Sequence, residues 1–219
     1  MKLLLKYPTR GRSEMFRDTL RLYRTMMSGE VDYKFFISMD RDDETMNNKE
    51  MMEFLDSQPN LSYHYGDSTT KIQAINADME KVGDWDVLLL VSDDMHPIVK
   101  GYDKIIMDDM KKHFPDLSGV LHYNDGEWGR KLNTLSIMGV NYYKNVGYIY
   151  YPAYRSFFCD NEFTEVSNRD GKAVYLDNVI IKHIKRENIR KPDATYRKNS
   201  KENAFDRALF QRRKANGFA

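Results

Sequence analysis

Apolar positions in the first half of the chain follow two alternating rhythms: short continuous runs, and longer stretches in which every third or fourth residue is apolar. KLLLKY is a short run ended by Pro8, and RSEMFRDTLRLYRTMM then spaces Phe16, Leu20, Tyr23 and Met27 as one face of a helix. YKFFISMD predicts a second strand, and DETMNNKEMMEFLDS a second helix with Asp43 as its cap. LSYHYGD and STTKIQAINADMEK predict a third strand and a third helix. WDVLLLVS is apolar on both faces, as central parallel strands are, and the helical pattern IVKGYDKIIMDDMKKHF follows it. Repeated strand and helix units imply a parallel sheet with right-handed crossovers. From about Gly119 the rhythm changes: GVLHYND, TLSIMGV and VGYIYYP predict strands without long helices between them. The expected fold class is therefore α/β, a doubly wound, mostly parallel sheet with a mixed second half. We read 1–219 as one domain, with halves at about 1–118 and 119–199 and a basic C-terminal tail at 200–219. Lys and Arg are frequent from Lys185 onward, and KENAFDRALFQRRKANGF predicts a terminal amphipathic helix.

Composition narrows the function classes. With 219 residues, 41% of them hydrophobic and 13% aromatic, the chain can bury one substantial core. Lys and Arg total 34 against 33 for Asp and Glu, and a net charge of +1 argues against duplex nucleic acid as a partner. A single cysteine, Cys159, allows neither an internal disulfide nor a cysteine-based zinc site, which fits a reducing compartment. The opening MKLLLKYPTRGR is too short in its apolar part for a signal peptide, and no later run reaches spanning length. A cytoplasmic protein is expected, with peripheral membrane association through the basic tail as a further expectation.

In open parallel sheets, ligands sit beyond the carboxyl ends of the strands. Those ends carry Tyr7, Pro8, Thr9 and Arg10 after the first strand, Asp40 after the second, and Gly66 and Asp67 after the third. Ser92, Asp93 and Asp94 follow the fourth. A single aspartate there is usually a turn or cap residue. Acidic residues after three successive strands point instead to one shared polar rim. No GxxxxGK[ST] occurs, and no GxGxxG follows the first strand, which counts against P-loop and Rossmann dinucleotide sites.

LLLKYPTRGR, VSDDM, NTLSIMGVNYY and above all GYIYYPAYRSFFCDNEFTEV resemble small bacterial and phage-type glycosyltransferases with the GT-A fold, related to the family-two enzymes. The resemblance runs from Lys2 to about Asn199. It implies a first half that binds a nucleotide-sugar, with a UDP-sugar favoured, and a second half that binds a carbohydrate or other hydroxyl acceptor. It also implies inverting transfer assisted by Mn²⁺ or Mg²⁺, in a cytoplasm that is the host's if the chain is phage-encoded.

Residue by residue, the resemblance implies that Pro8, Thr9 and Arg10 meet the nucleotide, with Arg10 neutralising phosphate charge. Asp40 and Asp67 accept bonds from ribose or base, and Lys71, one turn into the third helix, points a cation at the same nucleotide or is a solvated helix charge. Asp94 ligates the metal, while Asp93 contacts the ribose or a metal-bound water. Ser92 stands where a DxD motif has its first aspartate, which weakens the expectation of strong metal binding but not that of nucleotide binding. His183, in VIIKHI, either completes the metal site or is packed and hydrogen-bonded.

The catalytic base is expected within FFCDNEFTEV. Asp160, ionised at neutral pH, is preferred over Glu162, although it could equally cap the helix NEFTEVSNRD. Asp125 and Trp128, in HYNDGEWGRKLNT, suit an acceptor sugar ring, with packing of Trp128 onto the domain as the alternative. Two competing readings remain: a sugar-phosphate nucleotidyltransferase, whose glycine-rich basic signature YPTRGRSEMF matches poorly, and a non-catalytic nucleotide- or carbohydrate-binding module.

Overall fold

β1 (Lys2–Pro8) and β4 (Val87–Leu90) pair in parallel near the middle of a seven-stranded sheet, and their apolar residues leave them no other place. The computed structural model describes residues 1–184, 197 and 199–219. β2 (Asp32–Asp40) and β3 (Leu61–Gly66) extend the parallel sheet on the far side of β1. On the other side, β7 (Ile137–Gly139) runs antiparallel to β4, β6 (Val120–Tyr123) antiparallel to β7, and β8 (Ala173–Leu176) parallel to β6. The order is β3-β2-β1-β4-β7-β6-β8, so the mixed second half continues the same sheet and is not set apart as a unit of its own. β5 (Met95–Pro97) and β9 (Ile181–His183) form a separate two-stranded ribbon.

Alternation along the central strands feeds two cores. Leu3, Leu5, Tyr7, Val87, Leu89 and Val91 pack against α1 (Ser13–Thr25), α2 (Lys49–Asp56) and α4 (Tyr102–His113) through Phe16, Leu20, Leu55 and Ile106. Leu4, Leu88 and Leu90 face the opposite layer, built from α3 (Lys71–Asn76), α5 (Val140–Val146), α6 (Cys159–Arg169) and α7 (Asn203–Ala215), with Ile72, Tyr142, Phe163 and Leu209 buried there. This is the doubly wound arrangement expected from the strand and helix alternation. Among the described residues no helix is long and apolar enough to cross a membrane.

Several local expectations are corrected. VGYIYYP is not a strand: α5 ends at Gly147 in the left-handed conformation, and the amides of Ile149 and Tyr150 donate to the Asn76 side chain instead of to a neighbouring strand. The third helix breaks after Asn76, because Asp78 turns left-handed (φ 64°) and its carboxylate accepts from Ser38 and pairs with Lys81. Asp43 does not cap α2. Asn48 does, accepting from the Met51 amide at 2.9 Å, while Asp43 binds the Gly11 amide at 2.7 Å and holds the β1–α1 loop. Asp160 is not a cap either, since Phe158 occupies that position and α6 begins at Cys159.

The basic stretch is only partly covered: 185–196 and residue 198 lie outside the described residues. Its terminal helix, α7, docks on α6. Arg213 donates from Nε and Nη2 to the two Glu162 oxygens at 2.8 and 2.9 Å, and the Tyr154 hydroxyl donates to the same carboxylate at 2.8 Å. Both charges are almost fully removed from water, so taking away one partner strands the other. We expect Arg213→Met to cost about 3 kcal/mol of unfolding free energy, read as a lowered urea midpoint. Glu162→Gln combined with Arg213→Met should recover most of that loss, since it leaves no buried unpaired charge.

Candidate active site

A cleft of about 920 Å³ opens beyond the carboxyl ends of β1, β2 and β4, where the parallel sheet predicts a ligand. Pro8, Thr9, Arg10 and Asp40 line one part of it, and Lys71, Asp93, Asp94, His183, Trp128 and Asp160 line the rest. Three predicted residues stand elsewhere. Asp67 is exposed and paired with Arg41; Glu162 is held by Arg213; Asp125 lies behind the wall, with its side chain shaping the loop that carries Trp128.

The β1–α1 loop is held by opposite charges. Arg10 Nη1 donates to Asp40 at 2.8 Å and to Asp42 at 2.5 Å, while the Thr9 hydroxyl, buried and part of a residue lining the cleft, has no hydrogen-bond partner among the described residues. The next guanidinium, Arg12, lies 3.3 Å from Asp93. Asp93 is buried and also accepts from the Tyr7 hydroxyl, and burial pushes its carboxyl pKa upward against the pull of Tyr7 and Arg12. Its polar capacity is thus largely used within the protein.

Asp94 faces a different environment. Burial alone would raise its pKa, but His183, the Ser92 hydroxyl at 2.5 Å and the positive charge of Lys71 outweigh that and hold it well below the ordinary carboxylate range. Ser92 is therefore the hydroxyl that orients the acidic residue two positions on. Lys71 is the first residue of α3, not one turn into it.

His183 is brought to this point by backbone pairing. β9 aligns with β5, the His183 amide donates to the Asp125 carbonyl, and the following Ile184 amide donates to the Asp94 carbonyl, each at 2.8 Å. Its Nε2 stands 3.8 Å from Asp94 and its Nδ1 3.6 Å from Asp125. Asp125 is fixed in turn by Thr134 at 2.6 Å and by the amides of Glu127 and Trp128. A carboxylate oxygen and an imidazole nitrogen therefore face the same part of the cleft. Among the described residues no group of three or more His, Cys, Asp or Glu side chains is arranged to hold a metal by itself, so bound ligand and water would have to supply the remaining positions.

Asp160 stands in the first turn of α6, half-buried, with its Oδ1 accepting from the Asn161 amide at 3.0 Å. Loss of hydration pushes its pKa up, opposed chiefly by the Lys71 cation. Trp128, 46% exposed, is a rim residue and not part of a core. Sequence reasoning missed Arg12 and Asp43 as parts of this region, and it placed Tyr7 on the rim without its bond to Asp93. Arg12 was visible in TRGR, but the other two act through partners distant in the chain.

The charge arrangement predicts a pH dependence of the ion-free protein. Asp125 first, and then Asp94, raise the His183 pKa from 6.5 to about 9. The folded-state value lies above the unfolded one, so this stabilisation is complete below about pH 6.5 and is lost as pH rises through about 9. We expect chelator-treated protein to lose stability over that window in urea titrations, and His183→Gln to flatten that part of the curve.

No family model matches the chain, and no curated protein matches it. Solved structures do. A TarS fragment from S. aureus in complex with UDP-GlcNAc aligns with a TM-score of 0.66 at 16% identity, covering 90% of this chain and 64% of that one. The mannosyltransferase PcManGT from Pyrobaculum calidifontis, in complex with GDP-Man and Mn²⁺, gives 0.65 at 9% identity, covering 85% and 58%. The 4-diphosphocytidyl-2C-methyl-D-erythritol synthase from Anaerococcus prevotii gives 0.54 at 13% identity over 95% and 96%. This chain spans about three fifths of the length of the TarS fragment and mannosyltransferase structures. At such identities the likeness establishes a fold, the GT-A-like architecture common to nucleotide-sugar transferases and nucleotidyltransferases.

Proposed function

We propose that the protein is a glycosyltransferase, related to the family-two enzymes, that moves a sugar from a nucleotide-sugar, with a UDP-sugar favoured, to a hydroxyl of a carbohydrate or similar acceptor with inversion. The observation that carries this reading is that Asp160, from the second half of the chain, lines the same cleft as Thr9, Lys71, Asp94 and His183.

In this reading, the Thr9 hydroxyl finds its missing partner on the nucleotide, and Arg10, Arg12 and Lys71 supply positive charge to the phosphates. Asp94 and His183 hold a divalent cation, Mn²⁺ or Mg²⁺. When bound, that ion stabilises charge on the departing diphosphate. Asp160 accepts the proton from the acceptor hydroxyl as it attacks the anomeric carbon, and its raised pKa strengthens it as a base once ionised. Trp128 offers an exposed ring to the acceptor, and Asp125 acts behind it by holding both that loop and His183. Cytoplasmic location, and membrane contact through the basic tail, belong to the same proposal.

A nucleotidyltransferase is the second reading, favoured by the near-complete mutual coverage with the erythritol synthase and by the Arg10, Gly11, Arg12 loop. Product analysis separates the two. Sugar transfer releases a nucleoside diphosphate, whereas nucleotidyl transfer releases pyrophosphate. Incubation with a panel of nucleotide-sugars, with Mn²⁺ or chelator, should raise the melting temperature and yield nucleoside diphosphate. Absence of any shift would return the fold to a binding module with a different ligand.

Two substitutions divide binding from chemistry. Asp160→Asn should lower transfer about 100-fold or more while leaving nucleotide affinity within about twofold, measured by product assay and calorimetry. Asp94→Asn should instead abolish the Mn²⁺ dependence of nucleotide binding, with some lowering of the urea midpoint because His183 loses one of its carboxylate partners. If Asp94 served only the turn, the same variant would lose at most about 1 kcal/mol of stability and keep its Mn²⁺-dependent affinity.

A further inference from the structure

Asp206 takes no part in the chemistry above, lies outside the cleft lining, and is completely buried. It stands in the first turn of α7, and both carboxylate oxygens are in use. Oδ1 accepts from the Arg155 amide at 2.9 Å, and Oδ2 accepts from the amides of Ser156 and Phe157, each at 2.8 Å. Three consecutive amides converging on one anion are a strong, charge-assisted constraint on a stretch of irregular backbone.

That stretch leads directly into the cleft. Phe158 follows in the left-handed conformation, φ 62°, unfavourable for a non-glycine residue unless its surroundings hold it, and α6 then begins with Cys159 and Asp160. On the other side, the Arg155 carbonyl accepts from the Ile72 amide at 3.3 Å, and Ile72 is the neighbour of Lys71. Ser156, Phe157, Asp160 and Lys71 all line the cleft.

We propose that Asp206 is a positioning residue: by gathering the amides of residues 155–157 it fixes the entry to α6 and thereby sets the place of Asp160 in the cleft. The C-terminal helix is on this account a strut of the active site. The functional consequence rests on the glycosyltransferase reading, while the positional one does not.

The test uses the full chain and its single cysteine, buried Cys159, as an internal reporter beside Asp160. Asp206→Asn keeps the side chain's size but replaces one acceptor oxygen with a donor. It should lower kcat about tenfold or more while donor KM and calorimetric UDP affinity in Mn²⁺ stay within about twofold. Well below the melting temperature, iodoacetamide should alkylate Cys159 about tenfold faster than in the parent, because the first turn of α6 opens more often. Leu209→Ala, a cavity variant on the apolar face of the same helix, should lower the melting temperature but keep kcat. Should the asparagine variant not fold, Asp206→Glu, which displaces the carboxylate by one methylene, is read in the same way.

A folded Asp206 variant with parental kcat and parental Cys159 reactivity overturns the proposal. So does a Leu209→Ala protein that loses kcat equally for an equal drop in melting temperature. If the parent transfers sugar from no donor, the reading of the site fails, and the Cys159 rate alone then decides the positional role.

Discussion

A strand apolar on both faces must be covered on both faces, and β4 imposes that condition on the whole molecule. With Val87, Leu88, Leu89 and Leu90 all buried, it can lie only between other strands with a layer of helices above and below. Its parallel partner β1 fixes the direction of the first half, and its antiparallel partner β7 joins the second half to the same sheet. Polar residues can begin only where β4 leaves the sheet. That exit is the rim where Ser92, Asp93 and Asp94 stand.

Once at that rim, neighbouring carboxylates are driven apart by their surroundings. Asp93 turns towards Tyr7 and Arg12 and has its pKa pushed up by burial, whereas Asp94 is held down by His183, Ser92 and Lys71. Two adjacent aspartates therefore have different roles available to them: one braces the β1–α1 loop and the other presents negative charge to the cleft. Asp160 adds a third environment, desolvated and balanced chiefly by Lys71. Separating carboxylates in this way is what a site needs when it must both hold a cation and accept a proton.

The first half was legible because its signals are local. The run around Leu3 to Leu5, the helical spacing of Phe16, Leu20 and Tyr23, and the two-faced strand at Val87 each report burial through residues adjacent in sequence. The second half was less so. Strand-like composition at VGYIYYP was overridden by Asn76, which satisfies the amides of Ile149 and Tyr150 from another element altogether. Asp43 and Asp160 carry the chemistry of helix caps, yet Asn48 and Phe158 occupy the cap positions, and a rule based on residue type alone does not distinguish such neighbours. Of the predicted rim residues, most converge. Glu162 does not, because a carboxylate two residues from Asp160 points to roughly the opposite face of α6, towards α7, and meets Arg213.

The two halves of the cleft share one buried apolar layer, and polar contacts fix their positions within it. Asn76 ties the end of α3 to residues 149 and 150, Ile72 ties its beginning to Arg155, and Asp206 holds the stretch that follows. Directional bonds of this kind fix position more tightly than area does, since a shift that leaves hydrophobic burial nearly unchanged breaks them. α7 buttresses the side that carries Asp160, with Glu162 and Arg213 forming one attachment to α6 and Asp206 the other to the loop before it. The geometry at the cleft therefore depends on residues more than forty positions further along the chain, joined to it through buried charge.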